Sequence, residues 1–372
     1  MPVPFIDLQA QYNEVKAEID ASISEIMSSG AYVLGKYNRL FEEAVAQRHG
    51  VKHAICVNSG TDALRIGMQA CDIGPGDEVI TTAFTFVATV ETIVQTGATP
   101  VFVDIDRDTM CIDPAAIEAA ITPRTKAIMP VHLFGQLCDV RALQAIADKH
   151  ALVILEDAAQ VIDAHHQGKF TGNWGRFAAL SFYVTKNLGA AGDGGMILTN
   201  DDELDRRSRS IRIHGMGRER YYYDELGYTS RMAELQAAVL YHKLSRLADW
   251  NTRRQAVAEA YLSRMSESGI RLPKTYEGNN NVWHQFTIQT PDRDKLMDHL
   301  KSKEVASAIF YPVPIHLHEP YAQYGNGKGS LPVTETVSEQ CLSLPVHQHL
   351  SDEQVDHVIA RVLEFAQSTA AL

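Results

Sequence analysis

The sequence predicts an α/β protein: a mainly parallel sheet with helices on both faces, followed by a smaller α+β domain. Two observations carry that prediction. Over the first two-thirds of the 372 residues, short apolar runs alternate with stretches of helical periodicity. Strands that alternate with helices belong to parallel sheets buried on both sides. Near Met232 the alternation gives way to one long helical stretch, and a different pattern follows it.

The elements follow in order. Residues 14–28 (E-V-K-A-E-I-D-A-S-I-S-E-I-M-S) place apolar side chains at helical spacing, and residues 40–48 repeat this over a shorter run. Strands are expected at A-I-C-V from 54, E-V-I-T-T from 78, T-P-V-F-V-D-I-D from 99, A-I-M-P-V from 127, L-V-I-L-E-D from 152 and G-M-I-L-T from 195. Helical segments such as 62–70 and 140–150 separate them. The long stretch 233–262 reads as one helix bridging two domains. Beyond it come a strand at W-H-Q-F-T-I-Q-T, a helix at 292–303, a second strand at S-A-I-F-Y and a C-terminal helix at 352–366. The expected division is a large domain of residues 1–245 and a small one of residues 246–372.

The formal charge of −12 argues against nucleic acid or an anionic membrane as the main partner, since both call for a basic face. It leaves room for a small anionic substrate held by a few local donors. The five cysteines are scattered with no C-x-x-C pair, which fits a reducing compartment and no zinc site. The start M-P-V-P-F-I-D-L lacks a basic segment followed by an apolar run, and no apolar run reaches membrane-spanning length. The expectation is a soluble cytoplasmic protein.

Three stretches carry chemistry. N-S-G-T-D-A-L, Asn58 to Leu64, follows the strand A-I-C-V. Small hydroxyl residues and a glycine between a strand and a helix leave free amides at a positive dipole end, which suits a phosphate. Taken alone the stretch reads equally as a helix N-cap. E-D-A-A-Q, Glu156 to Gln160, ends the strand L-V-I-L, where ligands of open α/β sheets sit. Asp157 could equally be a solvated turn residue. S-F-Y-V-T-K-N-L-G-A-A-G-D-G-G, from Ser181, places Lys186 as the only local cation among small residues that let a backbone approach closely. Together, a phosphate cradle, an acid at a strand end and a lysine in a glycine-rich turn are the parts that hold pyridoxal 5'-phosphate: the lysine forms its Schiff base, and the acid keeps the pyridine nitrogen protonated.

With these motifs on view, the chain resembles the DegT/StrS-type sugar aminotransferases among the fold-type-I pyridoxal-phosphate enzymes. The likeness runs through F-I-D-L-Q-A-Q-Y, N-S-G-T-D-A-L, A-F-T-F-V-A-T, V-H-L-F-G-Q, E-D-A-A-Q, the lysine segment, R-M-A-E-L-Q-A-A and Y-P-V-P-I-H-L, in matching order. It implies a mainly parallel seven-stranded sheet covered by helices plus a small C-terminal α+β domain. By matching position, Lys186 resembles the cofactor-bonding and proton-moving lysine. Asp157 resembles the partner of the pyridine nitrogen, Gln160 the residue beside the ring hydroxyl and Phe86 the ring that stacks on the cofactor. Gly60, Thr61 and Ser181 resemble the phosphate ligands. Tyr183 and His316 resemble residues lining the sugar pocket.

Two positions depart from the family pattern. Thr229, in G-Y-T-S-R, stands where G-x-N-x-R places an asparagine that reaches the neighbouring subunit's phosphate site; a hydroxyl still donates to phosphate. Arg231 is kept and is expected to meet an anionic group of the amino donor or the sugar nucleotide. Ile162 replaces a frequent histidine.

The resemblance implies transamination from L-glutamate to a nucleotide-linked keto sugar, releasing 2-oxoglutarate, in a homodimer with shared active sites. T-K-N-L-G-A with G-D-G-G looks most like enzymes that aminate C3 of dTDP-linked 3-keto-6-deoxyhexoses. A 4-keto sugar aminotransferase, a sugar lyase and a non-catalytic regulator are the alternatives. The lyase relatives carry histidine where Lys186 stands, which disfavours that reading.

Overall fold

The structure is a computed structural model that describes residues 1–370. Its centre is a seven-stranded sheet of β1 (His53–Val57), β2 (Glu78–Thr82), β3 (Thr99–Val103), β4 (Thr125–Ile128), β5 (Val153–Asp157), β6 (Phe177–Ser181) and β7 (Gly195–Thr199). The spatial order is β1-β7-β6-β5-β4-β2-β3. Every pairing is parallel except the two made by β7, which runs against β1 and β6. The class and the mainly parallel sheet are those expected.

Alternation along the strands explains why helices cover both faces. Ala54, Cys56, Ala178, Leu180, Met196 and Leu198 point into one core with Phe41 and Val45 of the Lys36–His49 helix and Ala237, Ala238 and Leu240 of the Glu234–Leu244 helix. Their neighbours Ile55, Val57, Phe177, Ala179 and Ile197 point the other way, onto Ala63, Leu64 and Ile66 of the Gly60–Ala70 helix. Successive strand side chains face opposite sides, so a strand in such a sheet must be apolar throughout.

The single reversed strand positions the site. Gly195, the first residue of β7, pairs with Val57 at the end of β1 and with Ser181 at the end of β6. The loop after β1 and the last residue of β6 therefore meet across it. A Cβ at Gly195 would lie 2.2 Å from the Ser59 carbonyl oxygen, so only glycine allows this approach.

Three expectations change. β6 was not anticipated, because F-A-A-L-S carries two alanines and little β-branching. The long helix is two, Glu234–Leu244 and Leu247–Arg264, broken where Ser245 turns its hydroxyl onto the His242 carbonyl. The break redirects the chain: Leu240 and Leu244 pack in the large sheet's core, whereas Val257, Ala258 and Tyr261 pack with Phe286, Leu342 and Val358. Val3 joins that second core too. Lastly, residues 307–311 do not form the second small strand. Phe286–Gln289 pairs antiparallel with Cys341–Leu344, and Ala308 makes only one bridge, to Ser343. Pro312 and Pro314 follow at once and offer no N–H to continue a ladder. Among the described residues, no helix is long and apolar enough to cross a membrane.

Candidate active site

The carboxyl ends of β1, β5 and β6 open into a cavity of about 670 Å³. Gly60, Thr61, Phe86, Asp157, Gln160, Ser181, Tyr183 and Lys186 all line it. The structure thus gathers eight of the eleven residues named from the sequence.

The cradle comes first. Ser59 caps the Gly60–Ala70 helix, its hydroxyl accepting the Asp62 amide at 3.1 Å and its carbonyl the Ala63 amide at 3.0 Å. The Gly60 and Thr61 amides donate to no acceptor among the described residues, and they stand at the positive end of the helix. A Cβ on Gly60 would come within 2.7 Å of the Ser181 Cβ, so the glycine lets the serine close the cradle.

Asp157 ends β5 and is 4% exposed. The Thr89 hydroxyl donates to it at 2.7 Å and the Ala159 amide at 3.2 Å. Burial raises its pKa above the usual carboxylate value, against the pull of those donors and of Lys186. The strand end is held by the residue before it. Glu156 is fully buried and accepts from Thr171, Gly172, Trp174 and Gly175. Because the Cys138 amide donates to His132 Nδ1, the His132 proton sits on Nε2 and points at Glu156, 3.1 Å away.

Lys186 lies in the turn after β6, its amide donating to the Tyr183 carbonyl at 2.8 Å. Burial lowers its amine from 10.5 to about 8, with Asp157 opposing the shift. Lys243 supports the turn by donating to the Gly189 carbonyl at 2.8 Å. Gln160 accepts the Phe134 amide at 2.7 Å and donates to the Tyr311 hydroxyl at 3.3 Å. The Phe86 ring, 55% exposed, stands 6.2 Å from that of Tyr311.

Three residues named from the sequence lie elsewhere. His316 is buried away from the cavity, bonded to Glu335 at 3.2 Å and packed 6.4 Å from the Phe102 ring, where it lines a separate pocket. A neighbouring carboxylate and an aromatic wall hold it outside the cavity that the other site residues line. Thr229 is exposed and bonds to His214 at 3.0 Å. Arg231 is half-buried outside the cavity and makes no ion pair among the described residues. Ile162, in the frequent histidine's place, is part of the apolar core. The cavity also takes Arg254, His284 and Gln285, which were not singled out from the sequence, and Tyr311, which opens the Y-P-V-P-I-H-L motif.

Free amides at a helix end, a buried acid that lacks a full counter-charge and a half-buried lysine with a lowered pKa fit pyridoxal phosphate. The fold and the site define a pyridoxal-phosphate-dependent transferase. The chain belongs to the DegT/DnrJ/EryC1/StrS aminotransferase family, whose model matches residues 13–363. A Geobacillus stearothermophilus protein described as a pleiotropic regulatory protein is 46% identical over 368 residues, covering 98% of this chain and 99% of its own. The dTDP-3-amino-3,4,6-trideoxy-alpha-D-glucose transaminase of Streptomyces venezuelae is 45% identical, covering 98% of this chain and 96% of its own. The crystal structure of S. venezuelae DesV in complex with a ketimine intermediate superposes with a TM-score of 0.96 at 45% identity, covering 99% of both chains. The protein is a sugar-nucleotide aminotransferase of this family.

Proposed function

We propose that the enzyme takes the amino group of L-glutamate and delivers it to C3 of a dTDP-linked 3-keto-6-deoxyhexose, releasing 2-oxoglutarate and a 3-amino sugar. One observation carries the transamination: the partly exposed Lys186 and the buried Asp157 line one cavity beside the unbonded amides of Gly60 and Thr61. The C3 choice is supported by the T-K-N-L-G-A and G-D-G-G segments and by the 3-amino sugar transaminase activity named for the S. venezuelae relative.

When bound, pyridoxal phosphate supplies an electron sink that acidifies the carbon bearing the amino group. Gly60, Thr61 and Ser181 would hold its phosphate, Phe86 would cover its ring and Gln160 would meet the ring hydroxyl. Asp157 would hold a proton at the pyridine nitrogen, a task for which a buried carboxylate needing a counter-charge is suited. The Lys186 amine would move the proton between the donor's α-carbon and the neighbouring position. That requires the neutral amine, whose fraction grows as pH climbs through about 8.

The working unit in this reading is a homodimer. Exposed Tyr221, Tyr222, Tyr223 and Leu226, and at the cavity exposed Phe86 and Tyr183, support a partner surface. Thr229 and Arg231 would serve the partner's site. Light scattering of a fully active monomer would refute the shared site.

NMR of the product formed from glutamate and an offered mixture of the 3-keto and the 4-keto sugar nucleotide tests the rest. An amine on C3 is expected, and an amine on C4 overturns the C3 assignment. An unchanged visible spectrum on adding glutamate would instead favour the regulator that the Geobacillus relative's description names.

A further inference from the structure

Arg254 is the only arginine lining the cavity among the described residues, and no carboxylate pairs with it. It is 2% exposed. Its Nη1 donates to the main-chain carbonyls of Trp283 at 3.0 Å, His284 at 3.4 Å and Val346 at 2.6 Å. Its Nε is buried without an acceptor, and its Nη2 has no partner among the described residues. Its neighbour in sequence, Arg253, is paired with Asp352 at the surface. Burial without a counter-charge lowers Arg254 to about 9, so it stays protonated at neutral pH. A fixed guanidinium in a mostly apolar cavity calls for an anion that accepts from its remaining donors.

Its place relative to Lys186 narrows the choice of anion. The Asn187 side-chain amide donates to Asn251 at 3.0 Å and to the Val282 carbonyl at 2.8 Å, which fixes its oxygen as an acceptor. That oxygen lies 3.2 Å from His284 Nδ1, so Nδ1 carries the proton. Burial, Lys186 and Arg254 all disfavour a second proton on this ring. Arg254 and the lysine segment therefore meet at His284, whose carbonyl accepts from Arg254 Nη1 and whose ring bonds Asn187, the residue after Lys186. An amino acid reacts at the carbon that carries its carboxylate, so a carboxylate site next to that segment matches a donor.

We propose that Arg254 receives the α-carboxylate of the amino donor, and of the 2-oxo acid formed from it, on the cavity wall built by residues 254, 284, 285 and 346. The assignment rests on the reading of the donor as an amino acid. It gives Arg254 the role that the sequence pointed to at Arg231.

The test uses cofactor-loaded parent, Arg254→Lys and Arg254→Gln, with glutarate and dTDP titrated separately by calorimetry and glutamate KM taken from the first half-reaction. Glutarate affinity should fall roughly 10- to 100-fold in Arg254→Gln, the effect of losing hydrogen bonds to a charged group, with dTDP affinity unchanged. Arg254→Lys should fall in between, and glutamate KM should rise more than kcat falls. Unchanged glutarate affinity in a folded, loaded variant overturns the proposal. So does a parallel loss of dTDP affinity, which would make Arg254 a nucleotide or scaffold residue. Should the variants not load cofactor, a crystal structure of the parent with glutarate decides: a carboxylate on Arg254 Nη2 supports the site, and glutarate elsewhere overturns it. A parent that gives no half-reaction with glutamate yet binds glutarate at Arg254 would refute the donor and leave the carboxylate site standing.

Discussion

Replacing Lys186 with methionine removes the amine and keeps the length of the side chain, and its effect on the cofactor-free protein follows from burial. The fall of Lys186 from 10.5 to about 8 corresponds to roughly 3 kcal/mol against the protonated form, at about 1.4 kcal/mol per decade. The unfolded chain keeps the ordinary value, so the unfolded state binds more protons between pH 8 and 10.5 and stability rises with pH across that window. Below about pH 8 the whole penalty is present, and above 10.5 it is gone. Lys186→Met should therefore make the cofactor-free protein more stable at pH 7, by no more than about 3 kcal/mol. The gain is capped because Asp157 loses the cation that favours its ionised form. A melting temperature a few degrees above the parent's is expected at pH 7, since a domain of 150–250 residues moves roughly 2–4 °C per kcal/mol and a longer chain less. Scanning calorimetry at pH 7 and pH 10 would show the gap narrowing at the higher pH, while the loaded variant loses its visible absorbance and its turnover. A variant that melts at or below the parent at pH 7, or a gap that widens with pH, would refute the reasoning.

Asp157→Asn preserves volume but cannot hold a positive charge on the ring nitrogen. A broken buried ion pair costs about 3–5 kcal/mol, so the half-reaction with glutamate should slow roughly 10²- to 10⁴-fold in stopped-flow absorbance, and a parent-like rate would exclude the role. Gly60→Ala should weaken cofactor retention on dialysis, because its methyl would lie 2.7 Å from the Ser181 Cβ inside the cradle; full retention would place the phosphate elsewhere. His316→Gln should leave the sugar-nucleotide KM unchanged and lower the melting point, since the histidine is bonded to Glu335 outside the cavity. A raised KM at unchanged stability would return His316 to the sugar pocket.

The parts of the fold legible in the sequence were those whose signal is local. After its first residue, Glu78, β2 is apolar or threonine, and length and composition were enough to mark it as a strand. β6 was not legible, because Ala178 and Ala179 are small enough to fit between helices on both faces and leave no hydrophobic excess to read. The reversal of β7 was not legible either: direction depends on the connection through residues 182–194, where the glycine-rich turn is too compact to contain a crossover helix. The break at Ser245 was hidden because both helices are apolar at helical spacing, and only the change of core separates them.

The same division runs through the site. Gly60, Asp157, Ser181 and Lys186 each sit at or just beyond the carboxyl end of a strand, so a short motif reveals residue and position together. Arg254 has no such marker. In R-R-Q-A-V-A-E-A it and Arg253 read as two equivalent surface arginines on one helix. What tells them apart is distant in sequence: Asp352 takes the charge of Arg253, while the carbonyls of Trp283 and Val346 take one arm of Arg254 and offer it no negative charge. Residues proposed to hold the cofactor sit at strand ends, where a local motif records them. The role proposed for Arg254 depends on carbonyls and a carboxylate 29 to 99 residues away along the chain, and exists only once those segments have folded around it.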